Sequence, residues 1–192
     1  MKKTITMSII AALGFIGTAQ ASDHGESCTH KHVSFDHVSG YYGQSDETGV
    51  DMDLLGVEAQ RSVGNGVFVD ASFERRDFDS VTEVDMFELG LGYEYKANKN
   101  TSFYGIVGAL KLDSDDFVDS VDDDGYYAAV GAKHMMFKKF EIDGRLTHRD
   151  VLDESDKDFS LTGKYYVHKD WSVNAGYTFD AKETYVGVSY HF

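Results

Sequence analysis

The last ten residues, Glu183 to Phe192 (ETYVGVSYHF), alternate without a break. Thr184, Val186, Val188, Tyr190 and Phe192 fall on one side, and Glu183, Tyr185, Gly187, Ser189 and His191 on the other, the period of a β-strand with one apolar and one polar face. A terminal strand in a soluble sheet gains nothing from ending on Phe, whereas in a sheet closed inside a membrane that residue sits at the aromatic girdle between hydrocarbon and water. Apart from the N-terminal region, no stretch is apolar enough to span a bilayer as a helix, so any crossing is made by strands. Strands in hydrocarbon must close into a barrel, because an open edge leaves backbone groups unsatisfied. Proline is absent and glycine numbers 19, which suits long uninterrupted strands with tight turns.

The N-terminus reads as an export signal. Lys2 and Lys3 precede an apolar run from Ile5 to Gly17, and Ala19-Gln20-Ala21 is an A-x-A cleavage site. Residues 1–21 are therefore expected to be a cleaved leader; the apolar run is too short to anchor the chain as a helix. Cys28 lies away from the cut, so no lipid anchor is implied, and a single cysteine forms no internal disulfide. Lys and Arg total 18 against 33 acids, which makes nucleic acid an unsuitable partner.

After a polar tail over residues 22–32, read as flexible and periplasmic, residues 33–192 resolve into ten alternating segments. The expected strands are Val33 to Gly43, Met52 to Val63, Val67 to Phe78, Val84 to Lys96, Thr101 to Leu112, Gly125 to Met136, Phe140 to Asp150, Asp158 to Val167, Trp171 to Asp180 and Glu183 to Phe192. Even-numbered junctions are short and mostly basic or glycine-rich, as at Gly64 to Gly66; odd-numbered ones are longer and mostly acidic, as at Asp113 to Asp124, except the ninth, Ala181-Lys182, which is short. Short turns and long loops alternate in this way between the periplasmic and extracellular sides of an outer-membrane barrel. The fold expected is all-β, a transmembrane antiparallel up-and-down barrel of ten strands, with eight as the alternative and both chain ends in the periplasm.

Cost assigns the faces. A basic side chain facing lipid at mid-membrane costs about 2–4 kcal/mol, so Glu141, Asp143 and Arg145 of the seventh segment must face inward and Phe140, Ile142 and Leu146 outward. The same parity turns Phe159, Leu161, Trp171, Val173, Val67, Val69, Leu89 and Leu91 toward lipid. The first segment is undecided, with Phe35 and Tyr41 on one face and Val38 and Tyr42 on the other. Inside, Glu58, Asp70, Glu74, Glu88, Glu94, Glu141, Asp143 and Glu183 are expected alongside Lys111, Lys133, Arg145, Arg149 and Lys164. A narrow barrel carrying both signs is filled most simply by ion pairs, since an unpaired buried charge is expensive.

The leader, the strand FELGLGYEY (Phe87 to Tyr95), KNTSFYGIVGAL, DDDGYYAAVGAKHMMFKKFEIDGRL and the closing ETYVGVSYHF together resemble the small outer-membrane β-barrel family of OmpX-like and OmpA-barrel-like proteins and their porin relatives. The resemblance implies residence in the outer membrane among its lipids and lipopolysaccharide, as a monomer. It also implies that Tyr190 and Phe192 are read by the barrel-assembly machinery. Members differ widely in role. Envelope integrity or surface contact through the acidic loops is the first expectation, and a narrow porin-like channel the second.

Two local features suggest chemistry. His24, Cys28, His30 and His32 offer soft and imidazole ligands at short spacing, the donor set of zinc or copper, although the spacing matches no established zinc motif. Residues 113–124 hold seven aspartates in twelve positions without matching the calcium-loop pattern, so they read as solvated charge or weak Ca²⁺ or Mg²⁺ contacts. His148 and Asp150 lie together but with no poised nucleophile, so neither an enzyme nor a cofactor is expected. A soluble lipocalin-type barrel is the competing architecture; aromatics clustered beside the short turns favour the membrane.

Overall fold

A computed structural model describes residues 33–45, 52–78, 82–115, 120–151 and 154–192. The leader and the tail, with His24, Cys28, His30 and His32, lie outside them. Ten strands run in sequence: β1 (His37–Ser45), β2 (Met52–Gly64), β3 (Val67–Phe78), β4 (Thr82–Asn98), β5 (Thr101–Asp115), β6 (Ser120–Met136), β7 (Phe140–Val151), β8 (Glu154–His168), β9 (Trp171–Thr178) and β10 (Glu183–His191). Each pairs antiparallel with its sequence neighbour, and β1 also pairs with β10, so the sheet closes with ten strands and not eight.

Alternation sets which side chains meet lipid. On β4, Phe87, Leu89, Leu91, Tyr93 and Tyr95 point outward while Met86, Glu88, Gly90, Gly92 and Glu94 point in. Those ten residues of tilted strand span roughly 23 Å, close to the height of an outer-membrane apolar band. Aromatics gather at its short-turn edge, where Trp171 packs on Tyr190 with ring centroids 5.1 Å apart. The parity of β1, open in the sequence, is settled by the closure: His37, Ser39 and Tyr41 face in, and Val38 and Tyr42 face out.

Short turns close one end, which by the rule for such barrels is periplasmic. The β2–β3 turn shows why it is tight. Asn65 and Gly66 both hold positive φ, 55° and 80°, the two-residue geometry whose twist matches that of the flanking strands.

Three expectations are corrected. The first strand starts at His37, because Val33 to Asp36 leaves the sheet; Ser34 Oγ accepts the Asp36 N–H at 3.1 Å. Asp113 to Asp124 is not a twelve-residue loop: Asp113 pairs with Asp122 and Asp115 with Ser120, which leaves residues 116–119 outside the described ones. The ladder, with Leu110 buried beneath it, overrides the weak strand aversion of aspartate, on a scale spanning about 1 kcal/mol. Lys111 faces outward, since Leu110 and Leu112 take the inward positions. As a result β4, β5 and β6 run 17, 15 and 17 residues against 8, 9 and 9 for β9, β10 and β1, and the extracellular rim is high on one side.

Candidate functional site

The lumen is built in layers, beginning at the periplasmic end. Val33 and Phe35 fold into it beneath β1, and Phe35 is 1% exposed. Its ring lies 4.3 Å from that of Phe68 and edge-on to Tyr104 at 5.4 Å; Ile106, Met135 and Tyr166 belong to the same apolar cluster. Gly92 sits under Phe68, and a Cβ there would overlap the ring. On top of this layer, Lys133 Nζ lies 4.0 Å from the Phe35 centroid, a cation–π contact. It donates to Gln60 Oε1 at 3.0 Å, and Gln60 Nε2 donates to Asp70 Oδ1 at 2.7 Å. Tyr127 completes the layer by donating to Asp70 Oδ2 at 2.9 Å. Together these groups seal the lower lumen.

The β1–β10 seam carries a second polar layer. Ser39 and Ser189 hydroxyls meet at 2.8 Å, Asn174 donates to Ser189 at 3.0 Å, and His191 Nε2 lies 2.9 Å from Ser172 Oγ. His37 Nε2 is 3.4 Å from Lys164 Nζ. On the outside of the seam the Arg61 guanidinium stacks over Phe192 at 4.8 Å, and the Phe192 N–H donates to the Asp36 carbonyl at 3.3 Å. First and last strands are thus joined by side chains as well as by the ladder.

Above lie three arginines, each shared by two carboxylates. Arg76 is 2.7 Å from Glu74 and 3.1 Å from Glu183; Arg149 is 2.7 Å from both Glu88 and Asp158. Arg145 is 3.7 Å from Asp70 and 3.8 Å from Glu58. Such pairs add little net stability, but removing one partner strands a buried charge. Tyr104 donates to Asp143 at 2.8 Å, Tyr166 to Glu141 at 3.1 Å and Ser102 to Glu94 at 2.6 Å, so these inward acids each meet a hydroxyl donor.

Between the seal and the extracellular rim a cavity of about 130 Å³ remains, with Tyr41, Glu58, Arg145, Lys164, Asn174 and Glu183 among its walls. Of the thirteen charged residues expected inside, only Lys111 is absent from the lumen. Arg76, Asp158 and His37 were not expected there, although continuing the parity of β3 and β8 places the first two and the closing strand's pairing places the third. His148 and Asp150 lie on the outer face: His148 Nδ1 is 3.1 Å from the Asp156 carbonyl, and Asp150 accepts from Tyr126 at 3.1 Å. Among the described residues no group of three or more His, Cys, Asp or Glu is arranged to hold a metal.

Solved structures of outer-membrane proteins are similar to this chain. NanC porin matches with 11% identity and a TM-score of 0.51, over 81% of this chain and 99% of that one. KdgM porin gives 15%, 0.45, 81% and 99%, and Ail, the attachment invasion locus protein of Yersinia pestis, 18%, 0.41, 81% and 96%, in the same order. At 11% identity the likeness to NanC porin is one of fold alone. No curated protein matches the sequence. The model of the outer membrane protein beta-barrel domain matches residues 8–192, and the chain belongs to that family and to the outer membrane.

Proposed function

We propose that this protein is a non-enzymatic, monomeric scaffold of the outer membrane that serves envelope integrity and meets its surroundings through its acidic extracellular hairpins. The seal carries this reading. Phe35 is packed against Phe68 and Tyr104 with Lys133 on its face, which supports a periplasmic end filled by side chains rather than by water. A barrel of ten strands has little interior to spare, and ion pairs occupy most of what there is. The acidic hairpin β5–β6 is the surface available to lipopolysaccharide phosphates bridged by divalent cations, and Tyr190 and Phe192 are the contact with the assembly machinery.

Planar-bilayer recording of the refolded protein tests the reading, and no reproducible conductance steps are expected. A Phe35→Ala variant that conducts while the parent stays silent would locate the block at the seal. Stable steps from the parent would favour a second reading, a narrow channel for small solutes, to which the cavity above the seal lends support.

A further inference from the structure

We infer that the periplasmic rim carries a docking surface for anionic phospholipid headgroups of the periplasmic leaflet, formed by the β4–β5, β6–β7 and β8–β9 turns. Lys96 and Lys99, Lys138 and Lys139, and Lys169 stand on those turns, all exposed. Across residues 96–100, 137–139 and 168–170 the one acid is Asp170, which lies 3.6 Å from His168. Lys96 reaches Glu94 at 3.5 Å and still keeps 69% of its side chain exposed. The turns stand side by side: the Met135 N–H donates to the Asn100 carbonyl at 2.7 Å, and the Tyr166 N–H to the Lys139 carbonyl at 2.9 Å. Five lysines against one aspartate thus form a continuous arc, at the end of the barrel opposite Glu83, Asp85, Asp113, Asp123 and Asp124.

The height of the arc selects the partner. Outward aromatics, Tyr95 and Trp171 among them, mark the edge of the hydrocarbon. Lys96 follows Tyr95, Lys139 precedes Phe140, and Lys169 comes two residues before Trp171. At about 3.3 Å per residue, a lysine stem that starts there carries its ammonium to the depth of the lipid phosphates. Each lysine held near a leaflet surface adds to the attraction for anionic headgroups.

The β6–β7 turn supplies an independent observation. Phe137 and Lys138 hold φ of 51° and 62°, the left-handed region that bulky side chains avoid and that the β2–β3 turn fills with Asn65 and Gly66. Backbone held in this way clusters where the side chain it presents has a use. Phe137 is 86% exposed, more than any other large hydrophobic among the described residues. In water such a ring gains nothing, whereas at the boundary between headgroups and acyl chains it is favoured. A lipid surface meets the ring and the lysines beside it together; an anionic polymer of the cell wall meets only the charges.

Trp171, the chain's single tryptophan, stands beside Lys169 and reports the lipids next to the arc. The mature chain is refolded into phosphatidylcholine vesicles holding, at one low mole fraction, either phosphatidylglycerol or phosphatidylcholine with brominated acyl chains, which quench indole fluorescence on contact. Brominated phosphatidylglycerol should quench as if enriched about threefold over brominated phosphatidylcholine. That preference should vanish near 1 M salt, where the Debye length is about 3 Å. The combined Lys138→Gln, Lys139→Gln, Lys169→Gln variant should show no preference, whereas Lys157→Gln with Lys182→Gln, at the other end, should keep that of the parent. Should heat-modified gel migration show the triple variant unfolded, the salt response of the parent still decides. The proposal is overturned if the parent shows no preference, if the preference survives the salt or the three lysine substitutions, or if the parent in detergent pellets with purified peptidoglycan while showing no lipid preference. None of these outcomes depends on whether the seal conducts.

Discussion

Aromatic rings inside the barrel lie over glycines of neighbouring strands, Phe68 over Gly92 and Tyr41 over Gly56, and any side chain at those glycines would occupy the space of the ring. The seal therefore rests on two residue types at once, one supplying the ring and the other its room. Gly92→Val should destabilise the barrel by about 1–3 kcal/mol, the usual cost of overpacking, read as a lower urea midpoint in lipid vesicles. Combining it with Phe68→Leu should recover part of that loss; a double variant no better than the single one would assign the cost to the backbone instead. The pairing was not legible in the sequence. Glycine at a polar-face position has no hydrophobic signal, and Phe35 stood in the segment whose two faces looked alike, because Val33 to Asp36 leaves the sheet and its alternation then carries no information about facing.

For the strands themselves the alternation was sufficient wherever a charge lay near mid-membrane. On β7 the parity of Glu141, Asp143 and Arg145 was legible because exposing them to hydrocarbon is costly. It failed at Lys111, paired with Phe87 at the upper edge of the apolar band, where a basic side chain facing outward costs only about 0–1 kcal/mol. Charge no longer dictates facing there; the burial of Leu110 does. The difference is measurable as a contrast. Lys111→Leu should leave unfolding in vesicles nearly unchanged, whereas Leu89→Lys, two positions deeper on β4, should cost about 2–4 kcal/mol. Equal costs would place the band elsewhere. The acidic hairpin was misjudged for a related reason: aspartate is a poor strand former by itself, but a ladder already running on both sides of it is not easily ended.

At the scale of the whole molecule the barrel is held closed by β1 against β10, with Ser39 against Ser189 inside and Arg61 over Phe192 outside. The closing strand, legible from the first reading, thus marks both the location of the protein and the joint of its sheet. A chain lacking Phe192 should reach the outer membrane at reduced yield, measured as the heat-modifiable fraction in isolated membranes, and Arg61→Ala should slow closure in vesicles without altering targeting. Normal yield without Phe192 would remove its role in assembly. The unequal strands have a further effect. From Phe87 upward β4 continues for five more residues, a rise of about 13 Å, which exceeds the Debye length of about 8 Å at physiological salt. Glu83, Asp85, Asp113, Asp123 and Asp124 ride on that flank, whereas β9 and β10 end low in a tight turn. The protein consequently has a front and a back as it spins in the plane of the membrane. Two neighbours repel when their tall flanks face each other and not when their low flanks do, so crowding alone would set the rotational order in which such barrels stand.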